Sequence, residues 1–233
     1  MFRDFSVVAL VPARGGSKGI PHKNLSVVGG RSLLERAVSS GLRSRFVDRV
    51  VVSTDDDTMA GVAVACGASV HRRSSAAATD AATATDVLED FVVTRADDVL
   101  PGGTLLVYLQ PTSPLRDHTH VDAAFEAMER RGLTRCVSVV ENEHSPHKAL
   151  LTDSEGFLVP LFDETSVTAN RQVLPRTYRA NGAIYVFPVS DFTETRRFPV
   201  TGSLAFEMSP EDSVDIDSPH DLRIAEILLE DRQ

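Results

Sequence analysis

A glycine-rich loop near the start of the chain combines a flexible backbone with positive charge. It runs from Val11 to Asn24, follows a short apolar run, and carries the cations Arg14, Lys18 and Lys23. Glycines let the backbone approach a ligand closely, so that its amides can donate hydrogen bonds to oxygen atoms. The cations can neutralise the charge on those oxygens. The pattern therefore predicts a polyphosphate site, and the plain alternative is a solvated basic turn.

The charge pattern around this loop favours a small anionic ligand. No Asp or Glu occurs from Phe5 through Leu34, although the whole chain has a formal net charge of -9. The loop matches neither G-x-x-x-x-G-K-[ST] nor G-x-G-x-x-G, the two common phosphate-binding motifs. The acidic balance also argues against nucleic acid as a partner, because a phosphate backbone requires a basic surface.

Two carboxylates near the end of the chain form a second candidate site. Asp215 and Asp217 flank Ile216, and in extended backbone alternate side chains point to the same face. Two carboxylates, completed by water and phosphate oxygens, are typical ligands of Mg²⁺. The spacing alone equally allows an acidic cluster at the N-terminus of a helix that begins near Ser218.

Gln110 is a candidate for reading a base. It ends the predicted strand at residues 104–110, and its side-chain amide offers both a donor and an acceptor to the edge of a pyrimidine. Pro111 and Pro114 organise a turn in the same segment, so a structural role is the alternative.

The segments that must position these residues alternate between strands and helices. Apolar, β-branched runs predict strands at residues 6–12, 49–54, 68–71, 104–110, 135–140, 183–187 and 204–208. Helical spacing predicts helices after the cap Ser32 and at residues 58–66, 83–98, 117–131 and 219–230. This order predicts an α/β fold with a mostly parallel, doubly wound sheet. In such sheets ligands bind beyond the carboxyl ends of the strands.

The alternation stops between residues 141 and 180, within what we expect to be a single domain of residues 1–233. This stretch has a hairpin signal at Asp153–Gly156 and no clear helix. Its apolar residues have no place in the sheet; they are Leu150, Leu151, Phe157, Leu158, Leu161 and Phe162. We expect an inserted arm that buries them against a two-fold partner in a homodimer. The alternative is that the arm folds back on its own domain.

The motifs, taken in order along the chain, resemble those of the CMP-sialic acid synthetases, the cytidylyltransferases that activate nonulosonic acids. The resemblance covers residues 7 to about 230. It rests on Val11–Asn24, Val51–Asp55, Arg73–Ser75 with Asp80, Leu109–Arg116, His144–Lys148, Arg171–Pro175, Arg179–Tyr185 and Asp212–Asp217. In one departure, Phe198 stands where the family often has a pair of phenylalanines.

The resemblance implies a nucleotide-diphospho-sugar transferase-like fold and a homodimer. It also implies a Mg²⁺-dependent reaction that transfers CMP from CTP to the anomeric hydroxyl of a nonulosonic acid and releases pyrophosphate. The alternatives are a cytidylyltransferase for a different acid, such as a phosphonate, and a catalytically silent nucleotide-binding regulator. The presence of Lys23, Asp215 and Asp217 argues against a catalytically silent regulator, since such a protein need not keep metal ligands.

Residue roles follow from the same resemblance. The implied nucleotide-binding residues are Ala13, Arg14, Gly15, Lys18, Lys23, Asn24, Asp80, Thr83 and Gln110. The implied substrate-binding residues are Gln110, Lys148, Arg171, Arg179, Asn181, Tyr185 and Phe198. Arg14, Lys23 and Asp215 are the implied catalytic residues, and Asp215 and Asp217 the implied metal ligands. Arginine and lysine suit the carboxylate of a sugar acid, although surface charge is the alternative for those in the arm.

The start of the chain and its cysteines indicate a cytoplasmic protein without membrane contact. Met1–Asp4 does not resemble a signal sequence, and the apolar run Val7–Pro12 is too short to span a membrane. Cys66 and Cys136 each lie in an apolar setting, which favours reduced, buried thiols over a disulfide or a zinc site.

Overall fold

Seven strands form a central sheet in the computed structural model, which describes residues 2–16, 19–79, 81–95, 100 and 103–232. The strands are β1 (Ser6–Pro12), β2 (Val27–Val28), β3 (Arg31–Ser32), β4 (Arg49–Thr54), β5 (Ser69–Arg72), β6 (Thr104–Tyr108), β7 (Cys136–Glu141), β8 (Leu150–Thr152), β9 (Leu158–Pro160), β10 (Tyr178–Pro188) and β11 (Leu204–Glu207). The α-helices are α1 (Leu33–Arg43), α2 (Asp57–Ala65), α3 (Ala84–Arg95), α4 (His118–Arg131), α5 (Glu164–Thr168), α6 (Val189–Thr195) and α7 (Pro219–Glu230). Short 3-10 helices occupy Lys23–Leu25, Ala76–Ala78, Pro146–Lys148 and Arg171–Val173.

The central sheet has the strand order β11-β7-β10-β6-β1-β4-β5. β10 runs antiparallel to both of its neighbours, and the other pairings within this sheet are parallel. The predicted mostly parallel α/β sheet is therefore confirmed. The carboxyl ends of β1, β4 and β6 lie at one edge, which is where the glycine-rich loop and the Gln110 segment begin.

Alternate residues of β1 pack into two different cores, as the two-residue period of a strand requires. Val7, Ala9 and Val11 join apolar side chains of α1 and α4, whereas Val8 and Leu10 join those of α3 and α6. A strand buried on both faces is apolar along its whole length. The sequence of β1 therefore predicts its limits residue for residue.

Side-chain caps begin the helices where the sequence predicts them. At α1 the amide of Glu35 donates to Ser32 Oγ at 3.2 Å, and the amide of Ser32 donates to the Glu35 carboxylate at 2.7 Å. At α4 the amide of Thr119 donates to Asp117 Oδ1 at 2.9 Å. Loss of such a cap typically costs about 1 kcal/mol. None of the described helices is both long and apolar enough to cross a lipid bilayer.

Three short elements are not predicted by the sequence pattern: the β2–β3 hairpin, α5 and α6. α5 has five residues, too few for a helical period to be visible, and helices this short depend on caps and packing rather than on propensity. Asp163 supplies the cap, because its Oδ1 accepts from the amide of Ser166 at 2.9 Å. Residues 141–180, whose sequence shows no clear helix, therefore contain one short α-helix.

The predicted hairpin of the arm is present. β8 and β9 pair antiparallel, with Leu151 opposite Val159. Asp153 shapes the turn between them, since its Oδ1 accepts from the amides of Glu155 and Phe157, each at 2.9 Å. The apolar side chains of the hairpin do not pack into the sheet: Phe157 is 65% exposed and Leu158 67% exposed.

The two cysteines are free thiols, as predicted. Cys136 lies in the core between α4 and the sheet, and its burial raises the pKa of the thiol to about 12. Cys66 is only partly buried, so the expectation of a buried thiol holds fully for Cys136 alone.

Candidate functional site

A cavity of about 270 Å³ opens at the carboxyl ends of β1 and β6. It brings together five of the residues expected to bind a nucleotide, which are Arg14, Lys23, Asn24, Thr83 and Gln110. Its other lining residues are Pro12, Gly16, Arg73, Ala82, Ala84, Val87, Tyr108, Pro111 and Thr112. These segments are far apart in sequence, and the order of the parallel strands places them side by side.

The glycine-rich loop is held to the rest of the cavity by hydrogen bonds. Asn24 is buried, and its side-chain amide donates to the carbonyl of Arg14 at 3.2 Å. The guanidinium of Arg14 donates to the carbonyl of Thr79 at 3.0 Å. Asn24 therefore fixes the backbone of the loop from within, while Arg14 spans from β1 toward the segment before α3.

Two other predicted loop residues make internal contacts. The amide of Ala13 donates to the carbonyl of Ser53 at 2.9 Å, and that of Gly15 donates to Asp55 Oδ1 at 3.0 Å. Neither residue lines the cavity, so their nucleotide contact remains a prediction. Lys18 and Asp80 lie outside the described residues.

Lys23 joins the loop to the carboxylates near the end of the chain. Its Nζ donates to the carbonyl of Ile216 at 2.7 Å and to Asp217 Oδ1 at 3.0 Å. The Lys23 side chain is 17% exposed and that of Asp217 79% exposed. Lys23 therefore connects the two predicted sites, although neither Asp215 nor Asp217 lines the cavity itself.

The pKa of the Asp215 carboxylate is raised above its ordinary value, although the residue as a whole is exposed. Removal of water around its carboxylate raises the pKa, and the negative charge of Asp217 raises it further. A hydrogen bond from the side chain of Thr112 and the charge of Lys23 oppose the rise. The backbone is anchored nearby, because the amide of the buried Ile216 donates to the carbonyl of Thr112 at 2.8 Å. Asp215 is thus held against the Gln110 segment.

The described residues contain no cluster of three or more His, Cys, Asp or Glu side chains able to hold a metal ion. Asp215 and Asp217 are close enough to interact electrostatically. They supply two hard oxygen donors on either side of buried Ile216, which suits a hydrated Mg²⁺ whose other ligands are water or phosphate oxygens.

Arg73 belongs to the Arg73–Ser75 motif of the family resemblance, and it lines the cavity although the sequence gave it no individual role. It is 8% exposed, and burial lowers the pKa of its guanidinium. Its Nη2 donates to the carbonyl of Ser53 at 2.8 Å and its Nε to Ser53 Oγ at 3.2 Å. A buried, anchored cation on a cavity wall is suited to an anionic ligand. In the sequence, the signal for a role of Arg73 at this site was its position just after a predicted strand and within the Arg73–Ser75 motif.

Gln110 is positioned from two sides. Arg116 is fully buried, and its Nη2 donates to the carbonyl of Gln110 at 2.8 Å. On the other side, Gly182 has a φ of +79°, and a Cβ at that position would lie 2.3 Å from Gln110 Oε1. Only glycine accommodates both this backbone conformation and this close approach.

We expect Gly182→Ala to weaken nucleotide binding by displacing the Gln110 amide. The KM for the nucleotide should rise about tenfold, the effect of losing one well-placed hydrogen bond. The left-handed backbone should also cost about 1 kcal/mol of stability. Gly202→Ala is the matched control, because Gly202 has a φ of +80° and nothing within 4 Å of the added Cβ. Equal nucleotide KM values for the two variants would contradict the role of Gly182.

Asn181 is a buried structural residue in this conformation. Its Oδ1 accepts from Ser138 Oγ at 2.6 Å, and its Nδ2 donates to Ser213 Oγ at 2.9 Å. Asn181 therefore ties β7 and β10 to the segment before Asp215. The polar type of this residue did not reveal its burial, and the substrate contact that the resemblance implies for Asn181 remains a prediction.

The predicted aromatic residues form a cluster behind the cavity. The ring of Tyr185 lies 4.8 Å from that of Phe198 and 6.4 Å from that of Tyr108, which lines the cavity. Tyr108 and Phe198 are 5.3 Å apart in an edge-to-face arrangement. Phe198 and Tyr185 thus support the cavity through Tyr108, and their contact with a substrate remains a prediction.

The predicted cations of the arm lie elsewhere. Lys148 and Arg171 line a separate cavity of about 510 Å³ together with His144. Arg179 is exposed on β10 opposite Val140 and lines neither cavity. Within one protomer, the arm cations therefore do not share a cavity with Lys23 and Gln110.

The fold and the cavity place the protein among α/β proteins of the nucleotide-diphospho-sugar transferase type. A solved CMP:2-keto-3-deoxy-manno-octonic acid synthetase, complexed with CTP, has the same fold with a TM-score of 0.69. The match covers 98% of this chain and 100% of that chain at 18% sequence identity. At this identity the likeness establishes the fold alone.

The chain belongs to the cytidylyltransferase family, whose model matches residues 8–206. It is 35% identical to the CMP-N,N'-diacetyllegionaminic acid synthase of Legionella pneumophila over 96% of both chains. It is 30% identical to the N-acylneuraminate cytidylyltransferase of Streptococcus agalactiae over 92% of this chain and 51% of the relative. The chain thus spans about half the length of several curated relatives that it matches.

Proposed function

We propose that the protein transfers CMP from CTP to the anomeric hydroxyl of a nonulosonic acid. The observation that carries the proposal is the cavity lined by Arg14, Lys23 and Gln110, which Lys23 and Thr112 connect to the carboxylates of Asp217 and Asp215. The names of the two relatives above support the choice of nucleotide and of acid. Both cysteines are free thiols, which suits a reducing compartment such as the cytoplasm.

The reaction forms one bond and breaks another at the α-phosphorus. The anomeric oxygen attacks that phosphorus and releases its proton, while the bond to the bridging oxygen breaks and pyrophosphate leaves with the electron pair. Positioning and charge neutralisation account for most of the catalysis in such transfers. Arg14, Lys23 and Arg73 supply positive charge toward the phosphates, and the Gln110 amide reads the cytosine edge.

Asp215 and Asp217 would hold Mg²⁺. Bound there, the ion would neutralise and orient the phosphates. Lys23 already contacts Asp217, so the lysine and the ion would act on the same part of the nucleotide. The pKa of Asp215 is raised, which means that its charged form is disfavoured in the protein alone. A bound cation would neutralise that charge.

A pyrophosphate-release assay tests the proposed function. The protein should release pyrophosphate from CTP with N-acetylneuraminic acid or a diacetylated legionaminic acid as acceptor. ATP should not replace CTP, because Gln110 offers one amide to a pyrimidine-sized base edge. Equal turnover with ATP would contradict the base assignment. No release with any nonulosonic acid, but release with a phosphonate, would move the protein to a different acceptor class.

We also propose that the arm completes the site of a second protomer. The cavity of Lys148 and Arg171 has no residue in common with the Lys23 cavity. The exposed apolar residues of the arm hairpin need a covering surface. A two-fold dimer that buries them is a common solution, and it would carry the arm cations to the acid-binding side of the neighbouring site.

The paired substitution Phe157→Asp with Leu158→Asp should dissociate the proposed dimer into monomers and lower the enzymatic activity at the same time. Both side chains are more than half exposed, so folding of the protomer should not depend on them. Sedimentation at micromolar concentration, with activity measured on the same samples, gives both readouts. The control is Val64→Asp, since Val64 is 65% exposed on α2. A fully active monomer would contradict both the dimer and the shared site.

A further inference from the structure

A second, smaller cavity is rich in arginine, which supplies five of its twelve lining residues. Its volume is about 170 Å³. Its arginines are Arg31, Arg36, Arg43, Arg116 and Arg232, and its one acidic lining residue is Asp117. These residues come from β3, one side of α1, the segment before α4 and the end of α7. None of them lines the Lys23 cavity.

The positive charge of this cavity is poorly balanced. The guanidinium groups of Arg31 and Arg43 donate no hydrogen bond and form no ion pair within the described part of the chain, although both backbones lie in regular elements. Arg36 donates only to backbone carbonyls, those of Val28 at 2.8 Å and 2.5 Å and of Gly29 at 2.8 Å. Arg232 has an ion pair, with Asp212 Oδ1 at 2.6 Å. Three guanidinium groups therefore face one small space without a paired carboxylate.

The acidic groups nearby also accept hydrogen bonds from other residues. Asp117 lines the cavity and attracts Arg116, and its Oδ1 accepts from Thr119 and His120 at the start of α4. Glu35 accepts from Ser32 and attracts Arg31 and Arg36, and Glu226 on α7 accepts from the amide of Gly29 while attracting Arg36. None of the three forms an ion pair with Arg31, Arg36 or Arg43 in the described part of the chain.

Arg116 adds a buried charge to the same wall. It is 1% exposed, and its Nε and Nη1 have no hydrogen-bond partner among the described residues. Burial lowers the pKa of its guanidinium to about 10. For Arg36, burial and then the like charge of Arg31 lower the pKa. Asp117 beside Arg116, and Glu226 and Glu35 near Arg36, oppose these shifts without reversing them, and a buried guanidinium is costly unless its hydrogen bonds are also satisfied.

We propose that this arginine cavity binds a small anion of the phosphate class, inorganic phosphate or pyrophosphate. Guanidinium groups match the geometry of phosphate oxygens, and Ser39 can add a hydroxyl donor. The volume suits one or two phosphoryl groups and is smaller than that of the cavity assigned to the nucleotide. The proposal does not depend on the proposed reaction.

Calorimetric titration with phosphate, and separately with pyrophosphate, tests the site at constant ionic strength. The paired variant Arg31→Gln with Arg43→Gln removes the two unpaired cations from exposed positions. It should weaken binding at least tenfold for the anion that occupies the cavity. The matched control is Arg49→Gln with Arg223→Gln, which removes the same charge from exposed positions outside the cavity. That control should bind as the parent does.

A third variant separates this site from the Lys23 cavity. In Lys23→Ala, binding at the arginine cavity should persist, because Lys23 does not line it. Loss of all anion binding in Lys23→Ala, with none lost in the Arg31/Arg43 variant, would overturn the proposal and leave the nucleotide assignment intact. If anion binding is weakened equally in the Arg31/Arg43 and Arg49/Arg223 variants, the loss of affinity comes from net charge alone. That result would also overturn the proposal. Preference for phosphate or pyrophosphate identifies which anion the cavity holds.

Discussion

Lys23→Ala is expected to lower CMP transfer about a hundredfold while the protein stays folded. Lys23 Nζ lies at the rim of the cavity, between the carbonyl of Ile216 and the carboxylate of Asp217. An ammonium there would contact the phosphates as charge develops on the leaving pyrophosphate. Losing one such transition-state contact typically costs about 3 kcal/mol, which corresponds to the stated fall in rate. Steady-state turnover with CTP and the best acceptor measures it.

A double-mutant cycle with Asp217→Asn distinguishes direct from indirect action of Lys23. If Lys23 touches the phosphates, Lys23→Ala should still reduce the rate in the Asp217→Asn background. If Lys23 only orients Asp217, the second substitution should add nothing to the first. Lys23→Arg keeps the charge but changes its shape, so partial activity in that variant would confirm that charge contributes. Wild-type turnover in Lys23→Ala would contradict the assignment.

Asp215→Asn is expected to have opposite effects on activity and on stability. Activity should fall roughly a hundredfold and require more Mg²⁺, because asparagine keeps the shape of the side chain but loses the charge that a hard cation prefers. Without nucleotide and metal, the variant should be at least as stable as the parent at neutral pH. The reason is that the folded state disfavours the ionised form of Asp215.

The pH dependence of the same comparison follows from the sign of the shift. The folded-state pKa of Asp215 is raised above its ordinary value, so its ionised form costs folding free energy at pH values above that pKa. As the pH falls through the folded-state pKa, Asp215 becomes protonated and the difference between parent and variant should shrink. Chemical unfolding between neutral and acidic pH measures it.

The control for Asp215→Asn is Asp217→Asn, whose parent carboxylate is paired with Lys23. It should give no gain in stability. The contradicting result is that both variants lose stability while their activity requires the same Mg²⁺ concentration as that of the parent. In that case the two carboxylates only stabilise the N-terminus of α7, and the metal assignment is wrong.

Local patterns were sufficient to predict the framework of the fold. β1 and β4 are continuous apolar runs, because they are buried on both faces, and α7 has an amphipathic pattern behind Ser218. Their limits follow from the sequence residue for residue. α5 and α6 are too short to show a period. β10 extends from Tyr178 to Pro188, longer than predicted, since its polar first residues pair with β7 rather than pack in a core.

The sequence by itself determined which residues could bind phosphate, base and metal, because residue type and strand-end position carry that information. Only the tertiary structure decided which of them meet. The contact between Lys23 and Asp217 spans 194 positions, and it arises because the loop after β1 and the segment before α7 come together in the fold. Burial likewise turned Asn181 inward and placed Arg73 on the cavity wall. Burial and long-range contact depend on how the whole sheet packs, which no local pattern encodes.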